Sequence, residues 1–179
     1  MKKIAFQLSK LFYYGFALFS AFVTIFSMLS FIEYYLDWDI PLVSILDKES
    51  DPYVNIRIPL LQLTVGFSLS IKVILMWLSL FFYTIYFWAL KNFFGVFIQE
   101  QVFNKTSQQK LRVFFKLNFI PIFVGLISII VGLTKSNKII FSEEHLPLII
   151  HLLIAFMVYF YMDLMQKGRK IQEENDLTI

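Results

Sequence analysis

The chain has 179 residues, of which 58% are apolar and 16% are charged, and its formal net charge is +3. Globular domains are usually ~45–50% apolar and ~25% charged, so a soluble core of this size could not cover the apolar surface, and a lipid bilayer is the expected surrounding. The absence of cysteine excludes disulfides, thiolate metal sites and thiol redox chemistry, and two histidines are too few for a multi-haem bundle.

Four segments are apolar over about 20 residues, the length at which a helix crosses a bilayer core of ~30 Å. We predict transmembrane helices at about 11–32, 71–90, 113–133 and 146–165, within a single membrane domain. Beginning the second helix near residue 71 leaves Lys72 at the membrane interface, where a charge costs less than at the bilayer centre. We expect no cleaved signal peptide, because no small-residue cleavage site ends the first apolar run.

The segment between the first two helices alternates apolar and polar residues with a period of two. Val54, Ile56 and Ile58 have polar neighbours, and the same alternation continues beyond Pro59 as far as Val65. This period is typical of a strand with one buried face, so we predict a small β-hairpin outside the bilayer, with an irregular loop as the alternative. The expected fold class is an all-α integral membrane protein that carries this one small β element.

Basic residues are unevenly distributed beside the predicted helices. Eleven of the sixteen Lys and Arg residues fall within 1–10, 91–116 and 167–170. The positive-inside rule therefore predicts a protein of a bacterial inner membrane with both termini and the middle loop in the cytoplasm. The predicted cytoplasmic segments are 1–10, 91–112 and 166–179, and the predicted extracytoplasmic segments are 33–70 and 134–145.

Two of the predicted helices carry stripes of small residues, which allow helices to approach closely in lipid. The stripes consist of Ala17, Ala21 and Thr24 in the first helix and Gly125, Ser128 and Gly132 in the third. We expect both stripes to face the other helices; a chance distribution is the alternative, because such patterns are common in membrane helices. Pro121, one turn into the third helix, is expected to kink it.

Few ionisable residues fall inside the predicted spans. Lys72 and Asp163 lie at span ends, where a long side chain reaches the interface, and Asp163 can pair with Lys167 one helical turn later. His151 lies inside the fourth span. We expect it to be neutral and to donate to a backbone carbonyl, because no second His, Cys or carboxylate shares its helix face.

The middle loop and the chain end carry polar residues that a second protein could contact. In the loop, Asn104, Thr106 or Ser107 is the expected N-cap, so the third helix begins before the membrane. The tail places its bases near the bilayer and its acids farther out. The candidate docking residues are Lys110, Arg112, Glu173, Glu174, Asp176, Leu177, Thr178 and Ile179. A solvated tail without a partner is the alternative.

Two stretches carry a resemblance to a known group, the loop "VFNKTSQQKLR" and the tail "KGRKIQEENDLTI". With these residues the chain resembles the small bacterial four-span membrane proteins grouped as domain of unknown function 2975, and Asp163 matches a position where that family tends to carry an acid. Ser107 stands where the family usually has Asn, and the family's Gly-x-Pro before the phenylalanine is missing. The resemblance implies no reaction. Because members are often encoded beside a small helix-turn-helix regulator of the Cro-like class, it implies a regulator as a cytosolic partner.

Three functional hypotheses remain open. The first is a non-enzymatic module that docks a cytosolic protein through the tail and the middle loop. The second is a subunit of a small channel or transporter formed by oligomerisation, and the third is a membrane enzyme that uses Asp163 or His151. No phosphate-binding loop, metalloprotease motif or nucleophile elbow is present in the sequence, so we expect no catalytic residue, metal or cofactor. The expected partners are the lipid bilayer, a cytosolic protein and a second copy of the chain. Direct nucleic-acid binding is not expected, because topology alone accounts for the bases.

Overall fold

The computed structural model describes residues 1–46, 52–99, 104–136 and 145–176. Within these residues the chain is mostly helical and carries one small sheet. The elements are α1 Lys2–Leu36, β1 Val43–Leu46, β2 Tyr53–Ile58, β3 Leu63–Ser68, α2 Lys72–Val96, α3 Lys105–Leu117, α4 Phe119–Ser136 and α5 Leu146–Asp176.

Four helical stretches of the described residues are long and apolar enough to cross a membrane. They are Lys2–Leu36, Lys72–Val96, Lys105–Lys135, which joins α3 to α4, and Leu146–Asn175. Each is longer than the predicted span. The difference arises because the spans were measured against the bilayer thickness, whereas a helix continues into water as long as its residues favour it. At Lys72, however, the helix begins within one residue of the predicted start.

The chain divides into two compact units. A sheet unit comprises Leu8–Trp88, and a helical unit comprises Met1–Gln7 together with Ala89–Ile179.

In the sheet unit, α1 and α2 contact each other through large aromatic side chains. The rings of Phe16 and Phe87 are 5.0 Å apart, and those of Phe31 and Trp77 are 6.2 Å apart. Between them, Trp77 Nε1 donates a hydrogen bond of 2.7 Å to Ser27 Oγ. This bond satisfies the indole N–H, which finds no water in the apolar part of a membrane.

The sheet follows α1 and has three antiparallel strands in the order β1-β2-β3. The predicted β element is therefore present, but as three strands rather than a hairpin of two. The central strand alternates as expected from its sequence, because Val54 and Ile56 are fully buried while Tyr53 and Arg57 are exposed. A short 3₁₀ turn, Pro59–Leu61, joins β2 to β3 and ends at a residue in the left-handed region.

In the helical unit, α4 and α5 approach closely at Gly125. A Cβ atom at this position would lie 2.7 Å from Leu148 Cβ, which is nearer than carbon atoms approach without strain. Gly125 is buried, whereas Ser128 and Gly132 are exposed in the single chain. The predicted small-residue stripe of the third helix therefore contributes one member to this contact.

The hydrogen-bond ladder between α3 and α4 is interrupted at Asn118, although Asn118 keeps right-handed helical backbone angles of φ −67° and ψ −21°. Pro121 lacks the N–H that would bond to the carbonyl of Leu117, the last residue of α3. The backbone N–H of Asn118 bonds to Phe115 O at 3.2 Å, one residue closer than in a regular α-helix. Because Asn118 keeps helical backbone angles, α3 continues into α4 without an intervening loop.

Candidate functional site

The end of the helical unit where α3 contacts α5 brings together the two segments in which docking residues were predicted. The first turn of α3 is fixed by Asn104, whose side chain accepts a 2.7 Å hydrogen bond from the backbone N–H of Ser107. Ser107 is fully buried and its Oγ donates to Gln99 Oε1 at 3.1 Å. Of the three predicted N-cap residues, Asn104 therefore caps α3, and Ser107 links the helix start to the segment that follows α2.

The apolar face of α3 packs on α5 next to the tail. Leu111 is fully buried in a cluster with Val96 and Met165. Beside it, Phe114 is buried and its ring lies 5.0 Å from that of Phe93. Because Met165 is the last residue before the predicted tail, this cluster holds α3 against α5 at the point where the tail begins.

The predicted tail is helical as far as the structure describes it. The helix α5 has 31 residues and is ~46 Å long at 1.5 Å per residue, which exceeds a bilayer core of ~30 Å. We call its last part, Gln166–Asp176, the tail helix. Two ion pairs lie along this end of α5, Lys167 Nζ to Asp163 Oδ2 at 2.7 Å and Arg169 Nε to Glu173 Oε1 at 2.6 Å.

The predicted docking residues differ in what the structure shows of them. Glu173 and Glu174 are exposed on the tail helix. Asp176 ends α5, but its side chain lies outside the described residues, as do Leu177, Thr178 and Ile179. In α3, Lys110 and Arg112 are two residues apart and so lie on different sides of the helix. Lys110 is half-buried beside the face that packs on α5, and Arg112 is exposed.

A buried polar pair links the α3–α4 junction to α5. Asn118 is fully buried, and its Nδ2 donates a 2.7 Å hydrogen bond to the carbonyl of Phe114. In a regular α-helix this carbonyl would accept from the backbone N–H of Asn118. The amide oxygen therefore faces His151, whose Nδ1 lies 2.9 Å away. Because an amide oxygen only accepts, His151 Nδ1 carries the proton and donates to it.

This pair was missed by sequence reasoning. His151 was expected to donate to a backbone carbonyl, whereas Nδ1 faces a side-chain amide 33 residues away, at the junction of α3 and α4. The sequence feature that could have indicated this pair is Asn118, a polar residue inside an apolar run, three residues before Pro121. In lipid such a residue needs a hydrogen-bond partner, and a neighbouring helix is where it finds one.

An apolar groove runs along the outside of the helical unit, between the α3–α4 junction and α5. It encloses about 270 Å³, and its lining presents no polar surface. We call it the α5 groove; its lining residues are Phe115, Phe119, Ile122, Leu152, Ala155, Phe156 and Tyr159.

The sheet unit has a groove of its own beside the predicted stripe of α1. It encloses about 390 Å³, and Ala17, Ala21 and Thr24 lie in its wall together with Trp77 and Thr84 of α2. The buried face of α1 lies next to this stripe and is richer in hydroxyl groups. Its members within the described residues are Ser9, Ser20, Val23, Ser27, Ser30 and Glu33.

Comparison with known proteins identifies the family. The model of one family, described as Protein of unknown function (DUF2975), matches residues 42–179. The chain belongs to this family. No curated protein and no solved structure matches the chain. Membership in DUF2975 confirms the resemblance drawn from the middle loop and the tail, and it assigns no reaction.

The match to DUF2975 covers the sheet, α2, α3, α4 and α5, whereas α1 precedes it. The α3–α5 contact, the pair of Asn118 and His151 and the α5 groove all lie within the matched part. Among residues 1–46, 52–99, 104–136 and 145–176, no group of three or more His, Cys, Asp or Glu side chains could hold a metal ion.

Proposed function

We propose that this DUF2975 protein is a multi-pass protein of a bacterial inner membrane that docks a cytosolic protein and catalyses no reaction. Its docking surface consists of the tail helix, Gln166–Asp176, and the adjoining side of α3 around Lys110. One observation carries the proposal: Leu111 and Met165 pack together and hold α3 against α5 where the tail helix begins.

The distribution of charge supports a cytoplasmic position for this surface. Bases concentrate in the first ten residues, in residues 91–116 and in the first five residues of the tail helix. Anionic lipid attracts such bases, by about 1 kcal/mol per residue near the surface. The acids Glu173 and Glu174 lie one to two turns farther from the apolar part of α5 than these bases, on the side of the tail helix away from the proposed membrane.

The helical state of the tail favours binding. A disordered segment must become ordered when it binds, and that ordering weakens the complex. Here the backbone is already helical to Asp176. The Arg169–Glu173 pair is exposed, and an i,i+4 pair of this kind contributes only ~0.3–0.5 kcal/mol, so a partner can replace it at little cost.

The charge at the end of the tail indicates the kind of partner. Glu173, Glu174 and Asp176 fall within four residues, so the end of the helix is acidic. A small helix-turn-helix regulator presents a basic surface because it binds phosphates. The regulator implied by the family resemblance is therefore complementary in charge, and membrane docking would compete with its binding to DNA.

The test is crosslinking in cells followed by identification of the crosslinked proteins. We expect one small basic protein to be captured by the intact chain and lost when Glu173–Ile179 are deleted or when Glu173→Gln and Glu174→Gln are combined. The matched control is Asp39→Asn with Glu49→Gln, which also removes two acids, from the side predicted to face away from the cytoplasm. Capture of the same proteins by the intact chain and both tail variants would contradict the docking proposal.

The orientation is tested separately. A reporter that is active only in the cytoplasm is fused after Ile179, and intact cells are treated with an amine-reactive reagent that does not cross membranes. We expect an active reporter and no labelling of Lys105 or Lys170. Labelling of either lysine from outside would reverse the proposed topology.

A further inference from the structure

We propose that the α5 groove is a binding site for one anionic phospholipid, with an acyl chain in the groove and the phosphate at Arg112 and Lys116. This site does not include the tail helix or Lys110, although it uses Arg112, one of the candidate docking residues, and it requires only that the helices lie in a membrane. Neither the sequence patterns nor the family match assigns it.

The lining of the groove selects an acyl chain over a polar ligand. Its surface is wholly apolar, and a polar ligand would lose its hydration there without gaining a hydrogen bond. The groove opens on the outside of the apolar helices, where the surrounding medium in a membrane is lipid. Its length along α5, from Leu152 to Tyr159, is ~10 Å at 1.5 Å per residue, so it takes part of one extended chain.

Two cations stand at one end of this groove. Arg112 precedes Phe115 by three residues and Lys116 precedes Phe119 by three, so each cation lies one turn before an aromatic residue of the lining. Both side chains are exposed. Helical backbone angles continue through Asn118, so this spacing holds across the junction of α3 and α4.

The position of the cations matches the shape of a phospholipid. Phe115 and Tyr159, with ring centroids 6.3 Å apart, form the end of the groove next to these cations. An amphiphile with its chain in the groove therefore places its headgroup beside Arg112 and Lys116. Each basic residue near an anionic headgroup strengthens binding about fivefold, so the pair favours an anionic over a zwitterionic lipid by about 30-fold.

The test measures lipid binding to the full chain, purified in dodecyl maltoside, by native mass spectrometry. The probes are dioleoyl phosphatidylglycerol and dioleoyl phosphatidylcholine. We expect phosphatidylglycerol to bind about 30-fold more tightly, and Arg112→Gln with Lys116→Gln to remove that preference. The matched control, Arg57→Gln with Lys135→Gln, removes the same charge from exposed residues of the predicted extracytoplasmic segments and should keep the preference.

A second pair of variants tests the groove itself. Leu152→Trp fills it from the rim and should reduce retention of both lipids, whereas Leu153→Trp, at a 59% exposed neighbour that is not among the described lining residues, should not. Equal affinity for the two lipids would overturn the proposal, and so would equal retention by the two tryptophan variants. Displacement of phosphatidylglycerol by glycerol 3-phosphate alone would show a free-anion site and would also overturn it.

Discussion

Replacing Gly125 by alanine should destabilise the contact between α4 and α5, and the same change at Gly132 should not. The added Cβ at Gly125 would lie 2.7 Å from Leu148 Cβ, whereas carbon atoms pack at ~3.5–4.0 Å. Leu148 Cβ is attached directly to the backbone, so a side-chain rotation cannot relieve the clash. The two helices must instead separate by about 1 Å. At Gly132, apart from its two chain neighbours and the nearby backbone of α4 itself, no described atom lies within 4 Å of the added Cβ.

The comparison of the two alanine variants removes the effect of helix propensity. Alanine favours a helix over glycine by ~1 kcal/mol at either position. Overpacking at Gly125 costs ~1–3 kcal/mol, so Gly125→Ala should be less stable than Gly132→Ala by about that amount. For a chain of this size, 1 kcal/mol corresponds to about 2–4 °C in the unfolding temperature.

The assay is thermal unfolding in a mild detergent, followed by circular dichroism on the fraction that elutes as a monomer. Leucine at the same two positions enlarges the side chain and should widen the gap between them. Equal unfolding temperatures for Gly125→Ala and Gly132→Ala would refute the close approach of α4 and α5.

Three further predictions test hydrogen bonds. A double-mutant cycle of Asn118→Ala and His151→Ala should give a coupling of ~0.6–1.7 kcal/mol in detergent unfolding, because the two side chains bond across helices; a coupling of zero would contradict the pair. Trp77→Phe should destabilise the sheet unit by ~1 kcal/mol because it removes the donor to Ser27 Oγ, and in the Ser27→Ala background the same change should cost less. Asn104→Ala removes the cap of α3 and should cost ~1 kcal/mol and speed amide hydrogen exchange in its first turn; unchanged exchange would show that the cap contributes nothing.

The positions of the long apolar helices could be predicted because length and apolar composition are strong local signals. Their ends could not, because they depend on residues beyond the apolar runs. In α5 the apolar run ends near Met165, but the helix continues to Asp176 through the ion pair of Arg169 and Glu173. A search for bilayer-length segments does not detect such an extension, since charged residues are good helix formers in water.

The sheet shows which strands can be predicted from the alternation of apolar and polar residues alone. The alternation in β2 and β3 was visible, and the two strands pair with Ile56 opposite Val65. The strand β1 has only four residues, too few for a period to stand out from chance, although Val43 and Ile45 alternate with Ser44. Its pairing with β2, with Val43 opposite Ile56, adds a third strand that depends on the tertiary structure.

The stripe of small residues in α4 shows a different limit of sequence patterns. Such a pattern indicates which residues share a helix face, but not the direction in which that face points. Gly125 and Gly132 lie seven residues apart on one face, yet Gly125 is buried and Gly132 is exposed. Gly125 lies against Leu148, the third residue of α5, and α5 runs antiparallel to α4, so α5 does not extend to the level of Gly132. Where a neighbouring helix begins depends on its own residues, and a pattern in one helix does not show it.

In lipid, the large apolar residues do little to choose between alternative arrangements of these helices, because they contact apolar atoms in every arrangement. Phe123 and Phe160 are about 60% exposed and meet acyl chains as readily as side chains. The few polar groups are different, because each loses a hydrogen bond if its partner moves away. Asn118 can satisfy its amide oxygen with His151 in one arrangement of α4 against α5, and Gly125 permits the helices to come close enough for it. The arrangement of the helical unit is therefore specified by residues that contribute little to its apolar surface.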